Sequence, residues 1–469
     1  MVRPVATILL FSRAIYNVFF HPLSRFPGPV FNAISSLPYC YHVLKGSQVY
    51  DMVRLHETYG DIVRIAPNQL YFSHPDAWQD ILASRRGEKK EDMEKAGWFY
   101  RASDELPPHI VSTTRERHDT LRRAIGPSFA EKAIREQEPV VRKYADLLID
   151  RLSSSSSSRV TISDWYNYTT FDVIGDLAFG ESFGCLQASE YHEWIKEVFA
   201  SIHLFAIVQM MALYPFLRRF LSLFIPSSMK QARLLHKQHT VERLRRRMAI
   251  DRQDIMKGFI TTCFSTDELI SNAELLTVAG SETTASLLSG VTYLLLTNRD
   301  KYQKLVAEVR SSFQTVEEIN FVSLGQLPYL LACLDEGLRL YPPVAIASPR
   351  VVPEQGAYIL NTFVPGNTTV AVHQYSLFRR AKYFKHAEQF IPERISDREY
   401  ASDRRDALQP FSFGPRNCIG KSLAYHEMRL ILALMVFTFD MELCEDSRNW
   451  MDQKNFLLWQ KGGLNIFIR

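Results

Sequence analysis

The sequence has few cysteines, and none of them lies close to another. Six cysteines are spread over 469 residues, and no two form a CxxC pair. Such spacing is unlike a disulfide framework or a structural zinc site, and it favours a reducing compartment. A cysteine that carries chemistry in this protein therefore acts alone, and its immediate neighbours must provide the reason.

The sequence also lacks a strong excess of charge of one sign. Its 55 Lys and Arg residues face 51 Asp and Glu residues, which leaves a net charge of +4 without a basic tail. This balance argues against nucleic acid as a partner. No long polar linker or repeat divides the chain, and 46% of its residues are hydrophobic. We therefore expect a single domain over residues 31–469.

No apolar run near the N-terminus is long. The run at residues 5–11 is much shorter than the ~20 residues that cross a bilayer, and the following HPLSRFPGP is stiffened by proline. Two interpretations stay open: a partly buried amphipathic helix, or a short or truncated membrane anchor. In the second interpretation, residues 1–30 form the anchor and a hinge to the body.

Apolar residues recur at helical spacing along most of the chain, which predicts a mainly α fold with small β-sheets. We predict helices at residues 51–58, 114–138, 139–152, 164–179, 191–205, 229–248, 267–297 and 419–437, and one from Pro328 that ends before Pro342. Strand patterns occur at residues 61–65, 69–72, 358–363 and 368–372, the last two in a second small sheet. The serines of 153–158 predict a surface loop, and the arginines of 229–248 a solvated helix face.

The middle of the predicted helix 267–297 breaks the local rules for a buried helix. Its start has capping-box spacing, with Ser265 three residues before Glu268. Its centre reads AGSETT, where Gly280 costs ~1 kcal/mol relative to alanine and four polar residues follow. Such local violations are typical of functional sites.

The segment FSFGPRNCIG, residues 411–420, places Cys418 at the start of the last predicted helix. Glycines on both sides of the cysteine let the backbone approach a planar group or adopt positive φ, and the helix N-terminus favours an anionic sulfur. A thiolate on haem iron favours cleavage of the O–O bond. This segment therefore predicts haem-thiolate ligation by Cys418, with an inert core cysteine as the alternative.

These motifs, in this order and spacing, resemble the cytochrome P450 superfamily from His21 onward. FSFGPRNCIG is similar to its haem-ligand loop, AGSETT to its oxygen-activating helix, and EGLR (336–339) with PER (392–394) to its ion-pair core. DIVRIAPNQL and DWYNYTTFDVIGDLAFGESFGCLQ resemble filamentous-fungal microsomal members of secondary metabolism, similar to isotrichodermin hydroxylase. The resemblance implies the cytochrome P450 fold, a helical haem-binding domain with a small N-terminal β region.

The resemblance also implies roles for individual residues. Cys418 is the implied proximal ligand of haem b, and Phe411 helps to cover its sulfur from water. The residues implied to hold the haem propionates are Arg416, Arg350, Arg122 and His118. At His118 many relatives carry tryptophan instead. The residues implied to form a buried charge network are Glu336, Arg339 and Arg394.

The implied reaction is monooxygenation of a lipophilic small molecule by O₂. Thr283 and Glu282 would deliver protons, with Glu282 connected to solvent and the helix opened at Gly280 to admit O₂ and a water. Electrons would come from NADPH through a separate NADPH-cytochrome P450 reductase. The implied docking patch for this partner consists of Arg122, Arg123 and Lys421. The implied location is the cytosolic face of the endoplasmic reticulum membrane, at the membrane surface.

Two other functions would keep the same cysteine loop. A haem-thiolate enzyme could instead catalyse oxidative coupling, desaturation or rearrangement, but the intact Glu282–Thr283 pair favours monooxygenation. A non-enzymatic haem sensor or carrier would have no use for a proton relay. The residues implied to line the substrate pocket are Trp98, Phe99, Tyr100, Phe205, Met210, Leu276, 344–347 and 456–458.

Overall fold

Helices form most of the chain, as predicted. The structure, a computed structural model, describes residues 2–84, 92–100, 107–154, 158–192, 195, 206–214, 227–252, 254–263 and 265–469, with side chains except at 2–6 and 227–236. Most of the predicted helix 191–205, residues 155–157 of the serine run and the predicted pocket residue Phe205 lie outside the described residues.

The elements follow one another along the chain with short connections. The α-helices are α1 (Val2–Ile15), α2 (Val30–Ile34), α3 (Leu37–Lys45), α4 (Gln48–Tyr59), α5 (Ala77–Leu82), α6 (Gly97–Tyr100), α7 (Arg115–Ile125), α8 (Glu131–Ser153), α9 (Ile162–Phe179), α10 (Cys185–Ala188), α11 (Ser227–Met248), α12 (Ile255–Thr262), α13 (Thr266–Thr297), α14 (Arg299–Ser312), α15 (Pro328–Leu340), α16 (Gln374–Phe378) and α17 (Lys421–Thr438). The strands are β1 (Ile62–Ala66), β2 (Gln69–Phe72), β3 (Glu94–Lys95), β4 (Arg159–Thr161), β5 (Arg350–Val351), β6 (Ala357–Ile359), β7 (Thr362–Val364), β8 (Thr369–Val372), β9 (Met441–Leu443) and β10 (Asn465–Ile468).

The largest sheet combines strands from both ends of the sequence, in the order β1-β2-β8-β5-β3. Strand β8 runs parallel to β2, so the predicted strand 368–372 belongs to the N-terminal sheet and not to a second one. The predicted strand 358–363 is in fact the hairpin β6–β7. Its turn residues Leu360 and Asn361 both have positive φ, which reverses the chain direction within two residues. The pairing of β8 with β2 joins segments about 300 residues apart, so no local pattern in the sequence predicts it.

A three-stranded sheet, in the order β4-β10-β9, brings the C-terminus to the start of α9. Asn465 pairs with Thr161 in the antiparallel ladder between β10 and β4. Just before this ladder, the Leu464 N–H donates to Ser163 Oγ at 3.0 Å, in the first turn of α9. The segment that precedes β10 is therefore held against α9.

The long helix α13 lies at the centre of the helical core, in contact with α9, α15 and α17. Its start confirms the predicted cap, because the Glu268 N–H donates to Ser265 Oγ at 3.1 Å. The expectation that α13 opens at Gly280 is wrong, because the helix runs without a break through that residue. A Cβ atom on Gly280 would lie 2.7 Å from Ile174 Cδ1, so the glycine instead permits close packing on α9.

One helix boundary was predicted wrongly, and the predicted solvated face of α11 is met only in part, at Arg245 and Arg246. We placed a helix boundary at Pro139, but Pro139 lies inside α8, and the break occurs earlier, at the 3₁₀ turn Gly126–Phe129. The basic residues of α11 are not all solvated. Arg247 is 1% exposed and donates to both oxygens of Asp254 at 2.6 and 2.8 Å, and Arg243 is buried beside Glu181.

A buried carboxylate connects α15 to the irregular segment that follows α16. Glu336 accepts hydrogen bonds from Arg339 at 2.8 and 2.9 Å, from Arg394 at 3.0 Å and from the Ile391 N–H at 3.0 Å. Arg394 in turn donates to Asp403 at 2.8 Å. The structure thus brings together the three residues of the predicted charge network.

The N-terminal elements carry an exposed apolar face. Residues 8–11 of α1 are between 64% and 71% exposed, which excludes partial burial for this part of the helix. From Asn17 onward the chain packs on the body, because Asn17 donates to the Ile34 carbonyl and accepts from Arg64. Asn17 is therefore in contact with the body of the protein. Among the helices of the described residues, none is both long and apolar enough to cross a membrane.

Glu427 in α17 provides a test of this packing. Its side chain is buried, its Oε1 atom has no hydrogen-bond partner in the structure, and burial raises its pKa to about 8 from an ordinary 4.5. Because the unfolded chain ionises first, the wild-type protein loses stability as the pH rises from about 5 to about 8. Glu427→Gln should remove this loss, so its melting temperature should exceed that of wild type increasingly over this range.

The matched control for this variant is Glu57→Gln, which changes an exposed glutamate of α4. Thermal unfolding at several pH values should show no growing difference between this control and wild type. Parallel melting curves for Glu427→Gln and wild type from pH 5 to 8 would contradict the prediction.

Candidate functional site

The segment 411–420, here called the ligand loop, folds into a tight turn before α17. The Cys418 N–H donates to the Phe411 carbonyl at 2.9 Å, and the Asn417 N–H donates to the Gly414 carbonyl at 3.1 Å. Ser412 and Gly414 both have positive φ. These bonds close the loop on itself and place Cys418 three residues before the first residue of α17.

Gly414 is required where the ligand loop meets α5. Its φ is +76°, and a Cβ atom would lie 2.1 Å from the backbone oxygen of Leu82, the last residue of α5. Backbone atoms cannot move aside as a flexible side chain can, so no other residue fits without displacing the loop. The sequence expectation of a positive-φ glycine is met at Gly414. Gly420, by contrast, has an ordinary φ of −81°.

The Cys418 thiol lies deep in the molecule, yet its residue is exposed, so it faces an internal space. This depth raises the pKa of the thiol, while the Gly420 N–H and the positive charges of Arg122 and Lys421 act in the opposite direction. The other described cysteines are buried or half-buried. Cys418 is therefore the cysteine whose sulfur is open to a ligand.

Three cations meet where the largest sheet approaches the ligand loop. Lys95 in β3 and Arg350 in β5 are direct cross-strand partners, and Arg416 of the ligand loop interacts with both. Arg350 Nε and Arg416 Nη2 are buried and have no hydrogen-bond partner among the residues that the structure describes. The carboxylate nearest to Arg416 is that of Glu94, at 3.9 Å and more than half exposed. We call Lys95, Arg350 and Arg416 the cation cluster.

Like charges directly opposite each other destabilise a sheet. Burial first, and then the charges of Arg350 and Arg416, hold the pKa of Lys95 well below its ordinary value. An anion between these residues would remove the penalty, and unpartnered guanidinium nitrogens are suited to carboxylates. A cysteine thiol beside a cation cluster fits haem, whose iron takes a thiolate and whose two propionates are carboxylates.

Sequence reasoning missed Lys95. Its strand has only two residues, and no motif surrounds it, so nothing local distinguishes it from a surface lysine. Its position follows from the register between β3 and β5. The Nζ atom also donates to the Val111 carbonyl and lies 4.6 Å from the centre of the Tyr100 ring.

The two predicted propionate residues of α7 have different surroundings. His118 is buried, and burial lowers its pKa, so the ring is neutral near pH 7 with Nδ1 held by Asp119 at 3.0 Å. Arg122 instead donates to the Asn417 carbonyl at 2.6 Å and to Asn417 Oδ1 at 2.7 Å. Its terminal nitrogens are thus bound to the ligand loop.

Phe411 opens the ligand loop with a half-buried ring. The ring lies 5.3 Å from the ring of Tyr425 in α17, and Lys421 Nζ lies 5.8 Å from its centre. Tyr425 donates to Asp335 in α15 at 2.6 Å. The ring of Phe411 therefore packs between the ligand loop and the helix that begins after it.

One strip of α13 is open between buried neighbours. Ala279 is exposed and Thr283 is half-buried, whereas Ser281, Glu282 and Thr284 are buried. Thr283 donates its hydroxyl hydrogen to the Ala279 carbonyl at 2.7 Å, one turn earlier. The open strip is the part of AGSETT that the resemblance associates with oxygen.

The side chain of Glu282, the neighbour of Thr283 in the sequence, is buried in the protein. It is only 2% exposed, and its Oε1 atom lies 2.8 Å from Lys461 Nζ and 3.2 Å from Ser286 Oγ. Glu282 is thus not itself in contact with solvent, and a connection to solvent would pass through its partners. Lys461 was not predicted from the sequence, since it is 179 positions away in an irregular segment without a motif.

Part of the predicted substrate wall meets around one small cavity. The predicted residues that line it are Phe99, Ile346, Ala347 and Phe456. Polar side chains of Gln48, Gln209 and Asn455 complete the lining, and sequence reasoning did not identify them. The wall is thus apolar with a few amide groups and without a charged side chain among its described residues.

Comparison with known proteins gives consistent matches. The family model described as cytochrome P450 matches residues 27–467. A cytochrome P450 monooxygenase of Penicillium brasilianum is 43% identical over 466 residues, which cover 97% of this chain and 95% of the relative. A cytochrome P450 monooxygenase of Aspergillus oryzae is 41% identical, with coverage of 96% and 93%. Trichothecene C-15 hydroxylase of Fusarium sporotrichioides is 42% identical, with coverage of 97% and 94%.

The geometry of the ligand loop predicts that alanine destabilises the protein at one of its two glycines and is tolerated at the other. Gly414→Ala should destabilise the protein by about 2 to 4 kcal/mol, because the new Cβ meets backbone and positive φ is unfavourable for alanine. Gly420→Ala is the control, since its Cβ would lie 3.8 Å from Phe129 and 4.0 Å from Cys418 Sγ. Chemical denaturation measures both, and equal losses at the two positions would contradict the loop geometry.

Proposed function

Because this chain belongs to the cytochrome P450 family and is a haem-dependent monooxygenase, we propose that Cys418 supplies the thiolate that binds its haem iron. The observation that carries this assignment is the exposed Cys418 sulfur deep inside the molecule, at the end of a loop closed by the Phe411 carbonyl. Burial raises the pKa of this thiol overall, while the loop amide of Gly420 and the charges of Arg122 and Lys421 act in the opposite direction, so a bound metal ion would be needed to complete the thiolate.

The cation cluster would hold the haem propionates. Arg350 and Arg416 have nitrogens without a hydrogen-bond partner among the described residues, and Lys95 lies opposite Arg350. The neutral ring of His118 donates from Nδ1 to Asp119, so its Nε2 can only accept and would not bind a carboxylate. Arg122 would act one step away, by orienting Asn417 next to Cys418. This division of roles replaces the implied set of four propionate residues.

The reaction would be hydroxylation of a lipophilic metabolite. When bound, haem supplies the activation of O₂ and the oxidation of a C–H bond. Thr283 would hold a proton at its hydroxyl beside the open strip of α13, and Glu282 would resupply it. The predicted wall residues Phe99, Ala347 and Phe456 are buried and apolar, which suits a lipophilic substrate, and one relative is named for C-15 hydroxylation of a trichothecene. These features support a role in fungal secondary metabolism.

Electrons would come from NADPH through a separate NADPH-cytochrome P450 reductase. Arg123 and Lys421 are exposed on the two elements that flank the ligand loop, α7 and α17. Arg122 is less suitable than predicted, because its terminal nitrogens are bound to Asn417. An acidic partner surface would therefore meet Arg123 and Lys421 first.

The N-terminal elements would rest on a membrane surface, at the cytosolic face of the endoplasmic reticulum. Exposed apolar residues continue from α1 through the π-helical turn Tyr16–Phe20 to α2 and α3, which contact one another in sequence. The members of this N-terminal apolar face are Ile8, Leu9, Leu10, Phe11, Ile15, Tyr16, Phe19, Phe20, Val30, Phe31, Leu37, Tyr41 and Leu44. An apolar surface of this extent is typical of an interface with lipid or protein.

The ligand assignment predicts the effect of Cys418→Ser. The variant should lose the red-shifted absorption band of the reduced carbon monoxide complex, because that band requires a thiolate, and should lose O₂ consumption with NADPH and reductase. Cys263→Ser is the control, since this half-buried thiol lies in another part of the fold. A red-shifted band that persists in Cys418→Ser would show that another residue binds the iron.

The membrane proposal predicts the effect of three serine substitutions. Phe19→Ser, Phe20→Ser and Phe31→Ser together change residues that are 69%, 71% and 76% exposed. Cosedimentation with phosphatidylcholine–phosphatidylserine vesicles should fall by about an order of magnitude, because each ring loses its burial in lipid. The control combines Val322→Ser and Tyr358→Ser, at 61% and 68% exposure outside this face. Equal vesicle binding by the two variants would rule out the proposed face.

A further inference from the structure

Glu282 and Lys461 form an ion pair that is almost fully withdrawn from water. Their side chains are 2% and 6% exposed, and the Oε1–Nζ distance is 2.8 Å. Removing two charges from water is costly, and an apolar pair of similar volume usually stabilises a fold at least as well. Stability therefore does not explain why these two positions are charged. One member of the pair, Glu282, is the neighbour of Thr283 in α13.

The two oxygens of Glu282 have different surroundings. Oε1 is held by Lys461 and by Ser286 Oγ. Oε2 is buried and has no hydrogen-bond partner within the described part of the chain. Because a buried carboxylate oxygen without a partner is unfavourable, the pair leaves one oxygen poised for an additional group. An anchored Oε1 fixes the direction in which Oε2 points.

Lys461 is itself held in place by its neighbours. It lies just before β10, in the segment that is fixed against α9 by the Leu464–Ser163 bond. Its Nζ donates to Asn167 Oδ1 at 3.1 Å, and Asn167 Nδ2 donates to the Tyr191 hydroxyl at 2.8 Å. Tyr191 donates to Asp164 at 2.8 Å, and Asp164 is half-exposed. A continuous set of hydrogen bonds thus leads from the ion pair to the surface.

We propose that Lys461 is a positioning residue for proton delivery, which anchors Glu282 at Oε1 so that Oε2 serves the Thr283 side of α13. This inference rests on the proposed function, in which Glu282 and Thr283 supply protons during O₂ reduction. Lys461 does not touch the reacting atoms. It acts through Glu282, from the far end of the chain.

The experiment compares Lys461→Met with Lys461→Arg in the full-length haem-loaded protein, supplied with reductase and NADPH. O₂ reduced to H₂O₂ consumes one NADPH and one proton, whereas O₂ reduced to two waters consumes two NADPH and two protons. Poor proton delivery therefore raises the H₂O₂ formed per O₂ consumed. In Lys461→Met, the ratio of H₂O₂ to water among the products of O₂ reduction should rise by about tenfold. Lys461→Arg should restore the wild-type ratio.

Controls separate this role from a structural one. Arg247→Met breaks a comparably buried pair with Asp254 outside α13, so it should lower the melting temperature without raising H₂O₂. If Lys461→Met fails to fold, Glu282→Gln combined with Lys461→Met removes both charges. This double variant should form as much H₂O₂ as Glu282→Gln alone.

The outcomes distinguish the inference from the function on which it rests. A wild-type H₂O₂ ratio in Lys461→Met, or a ratio in the double variant above that of Glu282→Gln alone, would overturn the role of Lys461 while a raised ratio in Thr283→Ala keeps the proposed proton supply. A wild-type ratio in Thr283→Ala itself would instead overturn the proposed proton supply. Failure of Lys461→Arg to restore the ratio would also count against positioning by a positive charge.

Discussion

The position of the irregular segment that follows α16 depends on the Glu336 carboxylate. It joins α15 to a segment without regular structure by accepting bonds from Arg339, Arg394 and the Ile391 N–H. Arg339 also donates to the carbonyls of Phe378 and Gln389, which have no partner in a ladder or helix. Charge-assisted bonds thus replace the backbone pairing that this segment lacks. Removal of one member would leave buried charges unpaired, at a cost of ~3–5 kcal/mol.

With that segment fixed, the ligand loop can be held by few contacts. Gly414 passes over the end of α5, Arg122 binds Asn417, and Cys418 bonds back to Phe411. These contacts position the Cys418 sulfur and leave it uncovered. The cations around the loop differ from those of the Glu336 network, because their charges are not neutralised by buried carboxylates. Charge that remains unmatched in a buried place is unfavourable, and a bound anion would relieve it, which is why we propose the cation cluster for the haem propionates.

The sequence predicted local structure well where a physical signal is local. The cap at Ser265, the start of α15 at Pro328 and the positive φ of Gly414 follow from side-chain and backbone chemistry within a few residues. The helix boundary predicted at Pro139 is wrong, because the missing N–H and the ring of proline can be accommodated inside a well-packed helix. The break lies at Gly126 instead. The partner of β8 could not be predicted, because parallel pairing with β2 joins segments about 300 residues apart and has no turn to signal it.

The residues of the candidate site show the same difference between local and long-range signals. The sequence by itself determined the family and pointed to the ligand loop with Cys418 and the AGSETT strip with Thr283, because each of these motifs consists of adjacent residues within one turn or loop. Only the tertiary structure decided which charges accompany them. Lys95 joins Arg350 through the register of two short strands, Lys461 reaches Glu282 through the sheet that returns the C-terminus to α9, and Arg122 turns to Asn417. Charges act through space, and the distances between them are set by packing that no short stretch of sequence records.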